Sequence, residues 1–295
     1  MLPTLRQLQY LKLLAEHGSF SKAAEAAHVT QPTLSAGIQE LERALGAAVV
    51  DRARSGVILT AVGEEAVARA QDILARAEDL VQAARTAGRP LSGRFRLGVI
   101  PTIAPFMLPK ALPVLRRCYP ELRLFLREDL TARLVAMLKT GALDAALIAL
   151  PYDLTGIETT TIGPDELLAA APANHPLTAG TTVAPAALAQ ADLILLEDGH
   201  CLRDQTLSAC GADAPRDGDS GFAATSLATL VQMVGSGLGV SLLPAMAVEA
   251  GLAKLAAVTV RPLEGGAHRD LAVAWRAGSS RGAEARLLAD TLRGL

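Results

Sequence analysis

Two of the three cysteines in this 295-residue chain, Cys201 and Cys210, stand nine positions apart, and His200 directly precedes the first. Thiols hold metals, carry out redox chemistry or pack as small apolar groups. Zinc ligands usually have about two to four residues between them. Eight separate Cys201 from Cys210, so the spacing disfavours a metal. Met1-Leu2-Pro3-Thr4-Leu5-Arg6-Gln7 has no basic segment followed by an apolar run, so it does not read as an export signal. No apolar stretch reaches the roughly 18 residues of a membrane span. The expected location is the reducing cytoplasm, where a permanent disulfide is unusual and a transient one carries information.

A thiol attacks peroxide as the thiolate, which a helix N-terminus and a nearby cation favour. Asp198 or His200 would precede a helix starting near Leu202, so Cys201 is expected at the electropositive end with a lowered pKa. Peroxide would convert it to a sulfenic acid, and a second thiol would close a disulfide. Cys210 is the only local candidate for that second step. If residues 201–210 form one helix, nine rises of about 1.5 Å hold the two Cα atoms roughly 13 to 14 Å apart. A disulfide needs them within about 7 Å. Bonding therefore requires unwinding, which makes the segment a two-state switch.

Other elements must position this chemistry and give it an output. Half the residues (51%) are hydrophobic, enough for sizeable cores, and the net charge of −2 gives no global attraction to nucleic acid. Leu5, Leu8, Leu11 and Leu14 recur at helical spacing up to Gly18. Ser19 or Ser21 can cap a second helix through Ala27. After His28-Val29-Thr30-Gln31, Pro32 suits the first turn of a third helix, which carries Leu34, Ile38, Leu41 and Leu45 to Gly46. This pattern predicts a helix-turn-helix whose third helix enters the DNA major groove by its N-terminal end. Residues 47–60 read as two short strands, a wing. Thr60 then caps a long alanine-rich helix from Ala61 to about Ala87, suited to pairing with a second copy. Residues 1–60 hold six basic and five acidic side chains, so DNA affinity must come from placed donors. The candidates are Ser21, Thr30, Gln31, Pro32, Thr33, Ser35, Arg52 and Arg54.

The run Gly18-Ser19-Phe20-Ser21-Lys22-Ala23-Ala24, then Val29-Thr30-Gln31-Pro32-Thr33-Leu34-Ser35, then Ile38, Leu41-Glu42 and Leu45-Gly46, resembles the DNA-binding domain of LysR-type transcriptional regulators. Val49-Val50 replaces that family's usual leucine-phenylalanine pair. Ala36 stands where many relatives have a longer polar residue.

Downstream, strands are expected at 94–100, 122–126, 145–150, 167–171, 193–196, 239–242 and 271–275. Helices are expected at 108–118, 132–139 (capped by Thr131), 225–236 and 283–292. This alternation predicts a parallel sheet with ligands at the carboxyl ends of its strands. Cys118 is expected to be a small buried hydrophobe. The fold class is α/β with an N-terminal all-α winged helix-turn-helix. The rest resembles the same family's two-lobed, periplasmic-binding-protein-like regulatory domain. The expected domains are 1–60 for DNA binding, 61–90 for a dimerisation helix and hinge, and 91–295 for regulation. Lobe I would hold about 91–163 and 269–295, and lobe II about 164–268.

Glu197-Asp198-Gly199-His200-Cys201-Leu202-Arg203-Asp204-Gln205 with Cys210 resembles the redox segment of the family's peroxide-sensing members. So do Ile100-Pro101-Thr102, Ala224-Thr225-Ser226-Leu227, Gly237 with Gly239, and Leu242-Leu243-Pro244-Ala245. The resemblance implies a peroxidatic Cys201 and a resolving Cys210. It also implies a peroxide pocket of Thr102, His200, Asp204 and Arg276, with Thr131 a further donor. Ala223 and Ala228 depart from the arginine and glutamate often found beside that Thr-Ser-Leu motif. The implied partners are double-stranded DNA, hydrogen peroxide, RNA polymerase, glutaredoxin or thioredoxin as reductant, and copies of the chain in a dimer of dimers. No cofactor or metal is expected. Two other readings stay open: a metabolite-sensing regulator with incidental cysteines, and a catalytic thiol peroxidase. The helix-turn-helix and the lack of a turnover motif argue against the peroxidase.

Overall fold

The computed structural model describes residues 2–51, 57–85, 91–211 and 223–295. They fall into two compact units, residues 1–87 with 139–141 and residues 88–138 with 142–295.

In the first unit, α1 (Leu5–His17) opens with a capping box. Thr4 Oγ1 accepts from the Gln7 N–H, and Gln7 Oε1 accepts from the Thr4 N–H. Gly18, at φ 60°, ends the helix in the left-handed conformation that glycine adopts without penalty. After it come α2 (Phe20–Ala26) and α3 (Gln31–Leu45), the latter capped by Thr30. Leu8, Leu11, Leu14, Leu34, Ile38 and Leu41 pack together as the core of the three helices. An antiparallel wing, β1 (Val50–Asp51) with β2 (Ile58–Leu59), follows. Thr60 Oγ1 accepts from Gly63 N–H at 3.0 Å and donates to the Ala48 carbonyl at 2.7 Å, starting α4 (Ala61–Arg85). Val62, Ile73, Leu80 and Val81 of α4 are exposed.

The second unit begins with β3 (Gly93–Val99), α5 (Ala104–Cys118), β4 (Leu122–Glu128), α6 (Thr131–Lys139) and β5 (Ala145–Leu150). The helix expected from Leu108 starts four residues earlier. Pro105, Pro109 and Pro113 all lie on its solvent side. Their missing N–H groups and the carbonyls they free therefore face water, which limits the usual penalty of proline in a helix. Cys118 is exposed at the last residue of α5, not buried as expected. The long β6 (Ile157–Pro172) leaves this lobe for the next, which adds α7 (Pro185–Ala189), α8 (Cys201–Cys210) and α9 (Leu227–Gly235). It continues with β7 (Ser241–Pro244), α10 (Ala245–Glu249) and β8 (Val258–Pro262). The chain returns along β9 (His268–Arg276) to α11 (Gly282–Leu292).

The sheet is mixed, which corrects the parallel expectation. Strands β4, β3 and β5 are parallel, but β9 runs antiparallel to β5 and to the first part of β6. In the second lobe, β7 and β8 flank the rest of β6, both antiparallel. The expected strand at 193–196 is reduced to single bridges, Leu193 to Val240 and Leu196 to Ala224. The alternation of strand and helix does not reveal direction for β6 and β9, because they cross between lobes and are not joined by a packed helix. Each lobe has its own core; β6 contributes to both, while β9 packs in the first.

Candidate functional site

Helix α8 begins at Cys201 itself, with His200 at the cap position. Gly199 makes the turn before it at φ 92°, where an added Cβ would also come within 3.0 Å of Leu130. Glycine meets both demands. Cys201 is buried and packs in the first lobe's core, whereas Leu202 and Cys210 pack in the second's. The helix thus plugs one lobe with its first residue and belongs to the other by its remainder.

Burial pushes the Cys201 thiol above its ordinary value of 9.0. Acting against burial are the Arg269 guanidinium, the Thr131 hydroxyl and the backbone N–H groups of Leu202 and Cys201. The lowered pKa expected from a helix N-terminus is therefore not what the site has. Desolvation outweighs the helix end and the cation. The same groups are, however, arranged around sulfur to favour negative charge as it forms.

The cation is a residue that sequence reading missed. Arg269 is fully buried. Its Nε donates to Asp165 Oδ2 at 2.9 Å, its Nη1 to Thr102 Oγ1 at 2.8 Å and its Nη2 to the Thr102 carbonyl at 3.0 Å. Asp165 Oδ1 in turn accepts the Met246 N–H at 3.1 Å. The Thr102 hydroxyl uses an acceptor position on Arg269, which leaves its own proton for a bound oxygen.

Arg276 was the expected cation, and the structure puts it elsewhere. It ends β9 opposite Ile157, while Arg269 starts β9 opposite Asp165. Seven strand rises of about 3.3 Å place the two roughly 23 Å apart. The carboxyl end of β5 meets the start of β9, as Leu150 opposite Asp270 shows. Only the start of β9 can therefore reach the pocket.

Thr131 is directed at the sulfur, whereas Thr102 is held by Arg269, the cation beside it. Thr131 is the first residue of α6 and not the cap outside it. Its Oγ1 is buried without a hydrogen bond of its own, beside the thiol it would stabilise. Gln205, one turn after Cys201, donates Nε2 to the Leu150 carbonyl at 3.2 Å, and its buried Oε1 lacks a partner. His200 is half-buried, and burial lowers its pKa against the opposing charge of Glu197. It stays neutral near pH 7, so the imidazole is a hydrogen-bonding group there and not a cation. Asp204 is exposed on α8, one turn after Cys201. Tyr152 stands near it, its phenol pushed up by burial and then by the charges of Cys201, Asp153 and Asp204.

Cys210 has a plainer setting. Its thiol is buried and pushed up by desolvation alone. No described group of three or more His, Cys, Asp or Glu side chains could hold a metal ion. No described helix is long and apolar enough to cross a membrane.

At the other functional end, Ser21, Thr30, Gln31, Pro32 and Thr33 are exposed around the N-terminus of α3, with Ser35 half-buried. Thr30 and Thr33 share a 2.8 Å hydroxyl contact, and Ser21 Oγ approaches Gln31 Oε1 at 3.5 Å. Ala36 is exposed on the same helix. Arg52 and Arg54 lie outside the described residues.

Two family profiles match the chain. The bacterial regulatory helix-turn-helix protein profile of the lysR family covers residues 5–64, and the LysR substrate binding domain covers residues 88–295. The HTH-type transcriptional regulator EstR of Acinetobacter baylyi is 40% identical over 293 residues, 99% of this chain and 97% of that protein. The DNA-binding transcriptional dual regulator OxyR of Escherichia coli K12 is 36% identical over 289 residues, 98% and 94% of the two. Among solved structures, full-length OxyR of Pseudomonas aeruginosa with a cysteine-to-aspartate substitution matches with a TM-score of 0.77. It is 37% identical, with 99% and 98% of the chains covered. A hydrogen-peroxide-bound cysteine-to-serine mutant of Corynebacterium glutamicum OxyR matches at 0.67 and 32% identity, covering 99% and 92%.

Proposed function

Because the chain belongs to the LysR family of bacterial transcription regulators, we propose that it is a DNA-binding regulator switched by hydrogen peroxide at Cys201. The supporting observation is a buried thiol at a helix start, facing the Arg269 guanidinium and the Thr131 hydroxyl, with Thr102 held by the same arginine. Residues 1–60 read double-stranded DNA, 61–90 join two copies, and 91–295 sense the oxidant.

The Cys201 thiolate attacks one peroxide oxygen. The S–O bond forms as the O–O bond breaks, and the departing hydroxide takes a proton to become water. Arg269 and the two hydroxyls stabilise the charge that moves onto that oxygen, a role that grows in a buried, low-dielectric site. Each molecule of peroxide takes two electrons from sulfur. The Cys210 thiol then attacks the sulfenic sulfur, releasing a second water and closing the disulfide. Cys201 has to leave the first lobe's core for this, since α8 holds the two residues too far apart. The core it leaves and the helix it unwinds couple sulfur chemistry to lobe packing. Dimers of dimers would then shift on DNA and alter contact with RNA polymerase. A glutaredoxin or thioredoxin would restore both thiols by exchange. The chain acts as a stoichiometric switch and not as an enzyme.

The decisive experiment is titration of reduced protein with peroxide, counting free thiols while footprinting DNA. Two thiols per chain should vanish together with a changed footprint. A plateau short of two thiols, or a Cys201→Ser variant that still responds, would falsify this reading. A metabolite sensor would show that second outcome.

A further inference from the structure

A separate cavity of about 550 Å³ lies along β6 where that strand passes from the first lobe to the second. Its volume is that of a small-molecule pocket, roughly 300 to 1,000 Å³. None of Thr102, Thr131, Cys201 or Arg269 lines it. Its floor is apolar, with Met107, Ile162, Leu271 and Leu292 all buried. Its rim is charged. Lys110 is already engaged, its Nζ 3.9 Å from Glu249 and 3.3 Å from the Leu295 carbonyl. Glu166 is exposed and makes no ion pair among the described residues. Asp165, also in the wall, is neutralised by Arg269. With Lys110 paired to Glu249, Glu166 is the rim carboxylate without an ion-pair partner among the described residues.

We propose that this cavity binds a small amphipathic amine, with its carbon skeleton on the apolar floor and its ammonium at Glu166. Occupancy adjusts the reactivity of the Cys201 thiol. The coupling runs through shared groups. Asp165 and Met246 line the cavity, and both touch Arg269: Asp165 through its carboxylate, and Met246 through a sulfur 3.9 Å from Nη2. Phe106 and Met107 line it from the first turn of α5, just beyond Thr102. The β6 wall is formed at the register shift between Thr161 and Gly163, where the strand turns toward the second lobe. A ligand that moves Asp165 moves the cation beside sulfur. By linkage, its affinity must then differ between thiol and disulfide forms.

The binding half stands without the peroxide reading, and the coupling half is read by a reagent other than peroxide. 2-Phenylethylamine, 2-phenylethanol and 3-phenylpropionate are titrated calorimetrically into the reduced full chain. The amine is expected to bind with a Kd near 10⁻⁴ M and at least about tenfold tighter than the carboxylate, a difference one charge contact supplies. Glu166→Gln should remove most of that preference. Ala245→Trp, which fills the cavity, should abolish binding of all three. Because Glu166 is on the exposed rim, its variant tests the proposal even if Ala245→Trp does not fold. Saturating amine should change the Cys201 alkylation rate by iodoacetamide at least about twofold, the effect of a shift of some 0.3 in thiol pKa. Absence of amine binding, or equal binding of the three probes, overturns the site. An unchanged alkylation rate with amine bound overturns the coupling.

Discussion

The two ends of α8 carry the same side chain in opposite surroundings. At its start, Cys201 sits in the first lobe's core with a guanidinium, a hydroxyl and backbone N–H groups directed at it. At its end, Cys210 sits in the second lobe's core with burial the only influence on its thiol. Both thiols are pushed up, so ground-state acidity does not distinguish attacker from resolver. What differs is the set of groups ready to receive negative charge. In the proposed oxidation those groups would act on the transition state more than on the resting thiol.

The strongest way to break this comparison is to remove one sulfur at a time. Cys201→Ser should abolish sulfenate trapping by dimedone. Cys210→Ser should leave the first oxidation intact and stop at a trappable sulfenate. Equal loss in both variants would show that the two ends are chemically equivalent.

Arg269→Met should slow the first oxidation by about 10²- to 10³-fold in stopped-flow measurements, the usual cost of one lost transition-state donor. It also leaves Asp165 buried without its partner, costing about 3 to 5 kcal/mol of stability. Arg269→Met with Asp165→Leu should recover the stability, measured by urea unfolding, but not the rate. Arg276→Ala should leave the rate within about twofold, because it sits at the far end of β9.

Thr131→Val should slow the reaction by about fivefold, as a single neutral hydrogen bond is worth about 1 kcal/mol. A melting temperature that stays put would separate this from a packing defect.

The smallest effects are in pH. The folded Cys201 pKa lies above the ordinary 9.0. Its contribution to stability is therefore present below pH 9 and lost as pH rises through the folded value. Oxidation should still accelerate with pH beyond 9, since thiolate is still forming. His200 is shifted down by burial, against the charge of Glu197. Its contribution is present above its ordinary pKa of about 6.5 and fades as pH falls through the folded value. Thermal melts of wild type and His200→Asn between pH 5 and 8 should converge at the acid end.

Chain order alone carried much of this. Leucine spacing, glycine stops and the Thr60 cap depend on neighbours a few residues away, so the helices of the first unit were legible. So was the helical span from Cys201 to Cys210, from which the distance between the thiols follows. The cation was not legible. Arg269 stands between His268 and Asp270 in a polar triplet that reads as a strand margin. Arg276 fits the pocket only if β9 runs parallel to its neighbours. Strand direction is decided by which lobe the chain returns to, and local sequence does not encode it.

By itself, then, the sequence determined a helix-turn-helix, two α/β lobes and a helix that keeps two thiols apart, because these follow from local periodicity and fixed helical rise. Only the tertiary structure decided which lobe's core each thiol enters and which arginine faces the sulfur. It also decided that burial raises the Cys201 pKa despite the helix end. Those outcomes depend on which distant segments exclude water from the same point, and desolvation belongs to the assembled fold.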